Sequence, residues 1–225
     1  MSTPYPFAAV LFDMDGVVVD NMPLHRRVWA EWAAAKGYPV DETKLRTFDG
    51  RRAVEIIPMI FGPGLSEAYT QVLSDEREQA YRKTAESVEL TPVPGIQAYL
   101  EALGALGVPR VLATSALMVN VELVLGRLGL ESAFEALVTA SDVTSGKPDP
   151  EIYLTAAARA GVAPSDCLVV EDALPGVKAA KAAGAKCLGL TTSEGVIVLR
   201  QAGADYAAPD FWHLPAAIVP AAQAP

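Results

Sequence analysis

The stretch VLFDMDGVVVD, residues 10–20, decides the fold of this chain. It continues an apolar run that begins at Phe7, and near-continuous apolar runs are typical of strands buried in a parallel sheet. Asp13 and Asp15 follow at once, and residues two apart on an extended strand point to the same side. Gly16 then allows the backbone to turn tightly. The stretch therefore predicts a buried first strand that presents two carboxylates at its end.

Apolar strands and helices alternate along the chain after residue 88. The segment LTPVPG, residues 90–95, contains two prolines and a glycine and marks a linker. The alternation beyond it implies right-handed βαβ units and a parallel sheet, so the fold class is α/β with a doubly wound parallel sheet. We predict strands at 110–115, 136–141, 167–172 and 186–191, with helices at 96–107, 119–128, 150–160 and 175–183.

The region between the first strand and the linker carries no strand pattern. It runs from a first helix, capped by Asp20 or Asn21, to a long polar helix that ends at Ser87. The final segment VPAAQAP is low in complexity and is predicted to be mobile. We therefore predict a helical domain at 21–88, inserted after strand one into a core of residues 1–20 and 89–225.

The composition suits a globular protein and narrows its partners. The 225 residues are 51% hydrophobic and 20% charged, which is enough apolar material for a sizeable core. The net charge of −9 and the pI near 4.7 argue against nucleic acid or an anionic membrane as a partner. An anionic substrate would need a cation, or a cluster of hydrogen-bond donors, at its site.

The sequence also predicts a cytoplasmic location. No basic region precedes the first apolar run, and Asp13 interrupts that run, so we do not expect a signal peptide. No apolar stretch reaches the length of a membrane span. Cys167 and Cys187 each lie in a strand-like run, as buried free thiols of a reducing compartment do. We expect a monomer.

Polar residues follow four of the predicted strands at the point where each strand ends. Ligands of parallel α/β sheets bind beyond the carboxyl ends of the strands, so these residues predict a shared site. They are Asp13 and Asp15 after the first strand, Thr114 and Ser115 after the second, Lys147 in the loop after the third, and Glu171 and Asp172 after the fourth.

These side chains favour chemistry on a phosphate group. Clustered carboxylates repel one another unless a cation lies between them, and hard oxygen ligands select Mg²⁺. Lys147 and the two hydroxyls can donate hydrogen bonds to phosphate oxygens. Asp13, the first acid at the strand tip, is the better candidate for a nucleophile that forms an aspartyl-phosphate. Asp15 can protonate the leaving alcohol and deprotonate water, with a pKa that we expect the other carboxylates to raise.

Taken together, the motifs resemble those of the haloacid dehalogenase superfamily. The match consists of DMDGVVVD from Asp13, the Thr114–Ser115 pair, GKPDP around Lys147 and the Glu171–Asp172 pair, and it covers nearly the whole chain. The D-x-D of the first motif is similar to that of the superfamily's phosphatases and phosphomutases, whereas its dehalogenases lack the second acid. Dehalogenation is therefore not expected here.

The resemblance implies a role for each motif residue and for the insert. The insert looks like the helical cap of the β-phosphoglucomutase and phosphoglycolate phosphatase branch, which would close over the site and exclude water. By resemblance, Asp13 is the nucleophile and Asp15 the general acid/base. The resemblance also implies that Mg²⁺ is bound by Asp13, by the backbone carbonyl of Asp15 and by Asp172, with Glu171 close by. It further implies that Thr114 and Lys147 hold the phosphoryl group.

Five cap positions are candidates for substrate contacts, namely His25, Trp29, Gly50, Arg51 and Arg52. Each also fits a structural role, as a surface histidine, a packed tryptophan or a solvated arginine pair. The cap loop reads FDGRR and lacks the lysine that precedes glycine in the mutases. The residues after Thr114 also lack the polar side chains that mutases use there. These departures favour a phosphatase over a phosphomutase.

The expected substrate is a small phosphomonoester, such as a sugar phosphate or phosphoglycolate. Two alternatives are not enzymes. A phospho-receiver domain also collects acids, a hydroxyl and a lysine at strand ends, but its acceptor lies on a middle strand and it has no helical insert. A degenerate binding module on the same fold is disfavoured because every motif residue is present.

Overall fold

Six parallel strands form one sheet in the computed structural model, which describes residues 5–220. Their order across the sheet is β3-β2-β1-β4-β5-β6, so the chain builds one half outwards from β1 and then the other half from β4. This is the predicted doubly wound sheet. The strands are β1 (Ala9–Phe12), β2 (Arg110–Ala113), β3 (Ala136–Val138), β4 (Cys167–Glu171), β5 (Lys186–Leu190) and β6 (Tyr206–Ala208).

The helices divide into an inserted group and a group that covers the sheet. The inserted group is α1 (Met22–Ala35), α2 (Glu42–Arg46), α3 (Ala53–Phe61) and α4 (Glu67–Ser87). The covering group is α5 (Ile96–Ala105), α6 (Met118–Leu128), α7 (Glu151–Ala160), α8 (Leu174–Ala182) and α9 (Val196–Ala202).

The alternation of side chains along the strands divides the core into two layers. Val10 and Phe12 of β1 belong to a cluster that includes apolar residues of α5 and α6. Ala9 and Leu11 point to the opposite face and join α7, α8 and α9. Both faces of the sheet are therefore covered, which explains why the strands are apolar throughout rather than amphipathic.

The four inserted helices have a hydrophobic cluster of their own, built around Trp29, Phe48, Ile57 and Leu73. The two chain segments that connect the core to the insert lie side by side. The Asp20 amide donates to the Thr91 carbonyl at 2.8 Å, and the Val93 amide donates to the Val18 carbonyl at 3.1 Å. The chain thus enters and leaves the insert at adjacent points, close to the end of β1.

The structure agrees with most predicted elements and adds others. The predicted helices at 119–128, 150–160 and 175–183 match α6, α7 and α8 within one residue at each end. Strand β6 and helix α9 were not predicted. Both cysteines are free and buried, as expected. No helix within residues 5–220 is long and apolar enough to span a membrane. Residues 1–4 of the predicted core and residues 221–225 of VPAAQAP lie outside the described residues.

Candidate active site

The carboxyl ends of β1 and β4 meet at the point where the growth of the sheet changes direction. Ligands of open α/β sheets bind at this switch point. Asp13 follows β1, Glu171 ends β4, and Asp172 comes next. These three buried residues each place a carboxylate oxygen within 4.8 Å of the others, a spacing that suits a shared metal ion. The structure therefore brings together three of the four acids predicted to bind Mg²⁺.

The loop after β1 passes directly against this acid cluster. Gly16 has a φ of +78°, a conformation that favours glycine, and a Cβ at this position would overlap the Asp172 carboxylate. The Thr192 hydroxyl fixes the loop by donating to the Gly16 carbonyl at 2.6 Å. Ser193 donates a short hydrogen bond to the Asp172 carboxylate. The residues after β5 thus orient one acid of the cluster, a role that the sequence did not reveal.

Lys147 supplies positive charge inside the cluster. Its ammonium nitrogen lies 2.9 Å from Asp13 Oδ1 and 2.6 Å from Glu171 Oε1, and the side chain is fully buried. Burial alone would lower the pKa of Lys147, but the two carboxylates raise it. Tyr153 donates a second hydrogen bond to Glu171. Lys147 therefore offsets part of the negative charge of the acids. Its contact with the phosphoryl group stays a prediction.

Two of the clustered carboxylates have raised pKa values. Burial raises the pKa of Asp13 to about 7; Lys147 opposes this rise, and Glu171 and Asp15 add to it. Burial and the neighbouring Glu171 and Asp13 raise the pKa of Asp172 well above its ordinary value. Carboxylates in this state gain from a bound cation, because the cation removes the cost of their charge. The donor set, which consists of oxygens only, fits a hard divalent metal ion.

Asp15 lies in a different environment from Asp13. Its Oδ1 accepts a hydrogen bond from Asn21 at 2.5 Å and lies 3.3 Å from Nε2 of His25. Burial raises the pKa of Asp15, but His25, Asn21 and Arg77 together lower it below its ordinary value. The predicted rise of this pKa is therefore wrong. The reason is that residues of the insert, rather than the other acids, surround this carboxylate, whose side chain is not part of the cluster.

The tautomer of His25 follows from its second partner. An Nη of Arg77 lies 2.8 Å from His25 Nδ1, and because a guanidinium can only donate, Nδ1 must accept. The proton of a neutral imidazole is then on Nε2, which faces Asp15. The ring also stacks on Tyr81 with 4.1 Å between the ring centres. Helices α1 and α4 of the insert thus hold His25 against the second acid of the first motif.

The residues after β2 face the same cavity, which Asp13 and Asp15 also line. Thr114 is buried, and its hydroxyl oxygen accepts the Ala116 amide at 3.1 Å. Ser115 donates to the carbonyl of Gly50 at 3.0 Å. Its hydroxyl proton therefore bonds to the loop of the insert. Thr114 is the better placed of the two for the predicted phosphate contact.

Asp13, Asp15, Thr114 and Ser115 thus line one cavity, and Lys147, Glu171 and Asp172 lie against Asp13. A model of the haloacid dehalogenase-like hydrolases matches residues 7–184. The chain belongs to this family. Its match runs through the insert and four of the six strands. The alternative of a phospho-receiver module is set aside by this finding.

Three curated relatives of this hydrolase are similar over most of its length. Hexitol phosphatase A of Escherichia coli (strain K12) is 36% identical over 77% of this chain and 78% of the relative. Beta-phosphoglucomutase of Bacillus subtilis (strain 168) is 35% identical, with 81% and 82% covered. Validoxylamine A 7'-phosphate phosphatase of Streptomyces hygroscopicus subsp. limoneus is 34% identical, with 87% and 91% covered.

The insert of the hydrolase forms the opposite wall of the cavity. Four of the five predicted cap residues line the cavity, namely His25, Trp29, Gly50 and Arg51. Trp29 is also packed in the insert, with the Arg77 guanidinium 4.4 Å above its ring centre. The side chain of Arg51 donates to the Thr47 carbonyl at 3.1 Å and has no carboxylate partner among residues 5–220.

Arg52 departs from the prediction and does not line this cavity. Its guanidinium pairs with Glu55 at 2.8 Å and donates to the Thr144 carbonyl at 3.1 Å. Arg52 immediately precedes α3, so a carboxylate in the first turn of that helix is within reach of its side chain. The contact with Thr144 joins the insert to the core. The contacts of Arg52 therefore support a structural role.

Several residues that line the cavity of the hydrolase, or that contact a residue lining it, escaped the sequence analysis. Asn21 was considered only as a helix cap, and its side chain contacts Asp15 instead. Half-buried Arg26 and buried Asp49 form an ion pair between α1 and the loop that joins α2 to α3. Arg77 and Glu78 project from α4, which the sequence analysis described only as a long polar helix. One signal was available: Arg77 and Tyr81 are four residues apart and so lie on one face of α4.

Proposed function

We propose that the protein is a Mg²⁺-dependent phosphatase that hydrolyses a small phosphomonoester, of the sugar phosphate or phosphoglycolate type, through an aspartyl-phosphate. The proposal rests on one observation: Asp13 and Asp15, which both follow β1, have different neighbours. Asp13 lies in the buried cluster with Lys147, Glu171 and Asp172, whereas Asp15 contacts the insert through His25 and Asn21. Carboxylates separated in this way can take different parts in one reaction.

The clustered acids would hold the metal ion. Asp13 and Asp172 would bind Mg²⁺ together with the Asp15 carbonyl, and Glu171 would remain paired with Lys147. The bound ion would neutralise charge on the acids and on the phosphoryl oxygens during transfer. A lower pKa for Asp13 would follow, which keeps Asp13 in the carboxylate form that a nucleophile needs.

Two displacements at phosphorus would complete the reaction. In the first, an Asp13 oxygen bonds to phosphorus, the ester P–O bond breaks, and Asp15 in its protonated form gives its proton to the leaving oxygen. The lowered pKa of Asp15 makes this the minor form and favours the role of Asp15 as the base in the second step. In the second, water attacks the aspartyl-phosphate, Asp15 accepts a proton of that water, and Asp13 is released as a carboxylate with inorganic phosphate. Lys147 and Thr114 would hold the phosphoryl group in both steps.

The relatives support a small phosphorylated carbohydrate as the substrate, because hexitol and phosphoglucose appear in their names. A small metabolite also suits a buried cavity between the core and an insert. The proposal includes the expectations that the protein is cytoplasmic and monomeric and that it binds neither nucleic acid nor membranes.

A phosphomutase is the second candidate. Exchange of two phosphates requires a cation for the phosphate that is not reacting, and Arg51 lines the cavity without a carboxylate partner among residues 5–220. The relative named as a β-phosphoglucomutase also supports this alternative. Formation of glucose 6-phosphate from β-glucose 1-phosphate would identify the mutase.

The test is phosphate release from a panel of sugar phosphates, hexitol phosphates, phosphoglycolate and a generic aryl phosphate. Each would be assayed with Mg²⁺ and with EDTA, in the wild-type protein and in Asp13→Asn. We expect release that requires Mg²⁺ and falls by at least about 1,000-fold in Asp13→Asn, which removes the nucleophile. Equal turnover in EDTA, or in folded Asp13→Asn, would contradict the proposed reaction.

A further inference from the structure

Helices α4 and α6 form one wall of the cavity. We call it the α4–α6 wall and define it by Arg77, Glu78 and Asn120, which all line the cavity. All three side chains are buried. Arg77 and Glu78 belong to the insert and Asn120 to the core, so the wall spans the junction between them. None of the three residues is a motif residue of the reaction described above.

The α4–α6 wall has no net charge. Arg77 Nη1 donates to Glu78 Oε1 at 2.8 Å, and the two residues are 3% and 7% exposed. A buried arginine without a partner would attract an anionic group strongly, because little solvent screens its charge. Glu78 cancels that attraction. A second anionic group placed here would have to displace Glu78 or lie beside it.

Glu78 is held in this position from two sides. Asn120 donates its amide hydrogen to Glu78 Oε2 at 2.5 Å, and Arg82 donates to Asn120 Oδ1 at 3.1 Å. The two contacts fix the orientation of the amide, because Arg82 can only donate and therefore requires the oxygen on its side. With Arg77 on one oxygen and Asn120 on the other, the carboxylate cannot easily turn away.

The wall retains unused hydrogen-bonding capacity. Nε of Arg77 is buried and has no partner among the described residues. The Glu78 carboxylate accepts one hydrogen bond at each oxygen and can accept more. Each Nη of Arg77 has one partner and two hydrogens, and a hydroxyl group can accept one of the remaining hydrogens while it donates its own to Glu78. A carboxylate or a phosphate has no proton to offer Glu78 and meets its negative charge.

We infer that Glu78 makes this wall select an uncharged, hydroxylated group and disfavour a second anionic group. The inference rests on the proposed phosphatase function and narrows its substrates to phosphate monoesters of polyols or neutral sugars. Phosphoglycolate, with its carboxylate, is disfavoured by the same reasoning.

The test compares two six-carbon phosphates that differ at one end. Glucitol 6-phosphate has a hydroxymethyl group where 6-phosphogluconate has a carboxylate. Both would be measured with Mg²⁺ as substrates and as competitive inhibitors of aryl phosphate hydrolysis, so that each yields an apparent affinity. We expect the wild-type protein to prefer glucitol 6-phosphate by about tenfold or more in kcat/KM or inhibition constant, since like charges at close range repel.

Glu78→Gln removes the charge and keeps the shape and one acceptor. We expect it to reduce the preference by about tenfold, mainly through a lower KM or inhibition constant for 6-phosphogluconate, because Arg77 then lacks its carboxylate. Glu86→Gln is the matched control, since Glu86 lies on the same helix and is exposed. It should leave the preference unchanged. Circular dichroism would establish that each variant is folded.

The outcomes separate the inference from the proposed function. Equal affinities for the two phosphates, or tighter binding of 6-phosphogluconate, in the wild-type protein would overturn the inference whether or not Glu78→Gln folds. An unchanged preference in folded Glu78→Gln would also overturn it. Absence of aryl phosphate hydrolysis in the wild-type protein with Mg²⁺ would instead overturn the proposed function.

Discussion

At the scale of single residues, the position of Lys147 shows how the site tolerates its acids. The side chain is inaccessible to solvent and pairs with Asp13 and Glu171, which are buried as well. Removal of one partner from a buried charged group leaves the other charges uncompensated, and that is costly. Lys147 therefore contributes to the stability of the fold as well as to the proposed reaction.

We expect Lys147→Met to lower the free energy of unfolding by about 3 kcal/mol in EDTA, because two buried carboxylates lose their cation. Added Mg²⁺ should recover part of this loss, since the ion supplies positive charge to the same acids. Urea denaturation in EDTA and in Mg²⁺ measures both effects. The control is Lys83→Met at an exposed position of α4, which should change stability by less than about 0.5 kcal/mol. An equally small loss for Lys147→Met would contradict this account.

At the scale of elements, α8 packs directly on the acid cluster. A Cβ on Gly176, within this helix, would overlap the carboxyl group of Glu171. Glycine normally destabilises a helix relative to alanine, so its presence here reflects the close approach of the helix to β4. The same approach brings the backbone of α8 over the end of the strand that carries two of the predicted metal ligands.

Gly176→Ala should therefore destabilise the protein by about 2 kcal/mol, because the added methyl group displaces Glu171 in a packed interior. Gly126 of α6 is a matched control, since it lies within a helix and a Cβ there meets only a Glu131 oxygen at 3.8 Å. Gly126→Ala should stabilise the protein by about 0.5–1 kcal/mol. Thermal or urea unfolding of the two variants measures the contrast. Stabilisation by both substitutions would show that α8 can move away from β4.

A second element-scale feature lies at the amino ends of β5 and β6, away from the site. Asp205 accepts hydrogen bonds from Lys181 and Lys186 and from the Cys187 amide, at 2.7, 2.8 and 2.9 Å. Burial raises the pKa of Asp205, but these bonds lower it below its ordinary value. A depressed pKa in the folded state contributes stability above the pKa of the unfolded chain, and this contribution disappears as the pH falls through the folded pKa.

Asp205→Asn should thus cost about 1 kcal/mol near pH 7, where the lost carboxylate is ionised. The cost should shrink as the pH falls below about 4, the ordinary pKa of aspartate, and vanish below the folded pKa. Urea denaturation of both proteins across this pH range measures the difference. Asp75→Asn, at an exposed position of α4, should show little cost at either pH. A constant cost for Asp205→Asn would mean that packing, and not charge, supports this corner.

At the scale of the whole molecule, the sheet and its motif residues were predictable, whereas the wall from the insert was not. A parallel sheet places every strand end at one edge, so Asp13, Thr114 and Glu171 could be brought together from the sequence. The environment of Asp15 depends on how α1 and α4 pack over that edge. The spacing of Arg77 and Tyr81 places both on one face of α4, but it does not say against which residues that face packs, so the prediction of the Asp15 pKa was wrong. The position of Arg52 outside the cavity was not predictable either, because its partner Thr144 lies 92 residues away in the sequence.

The acid cluster also links metal binding to the stability of the whole protein. A ligand that binds the folded state alone stabilises it by about 2.7 kcal/mol at 100 times its dissociation constant. For a chain of this length each kcal/mol raises Tm by about 2–4 °C, so saturating Mg²⁺ should raise Tm by about 5–10 °C over EDTA. The raised pKa values of Asp13 and Asp172 also predict stabilisation by Mg²⁺, because a cation removes the charge repulsion between these acids.

The decisive comparison is between two Asp→Asn variants, one at the carboxyl ends of the strands and one at their amino ends. Asp172→Asn removes a carboxylate of the cluster and should abolish most of the Mg²⁺-dependent rise in Tm, whatever its Tm in EDTA. Asp205→Asn should have a lower Tm than the wild-type protein but keep the full rise, because Asp205 lies at the amino ends of the strands. Differential scanning calorimetry with and without Mg²⁺ measures both. An equal rise in the two variants would place the ion elsewhere than at Asp13, Glu171 and Asp172.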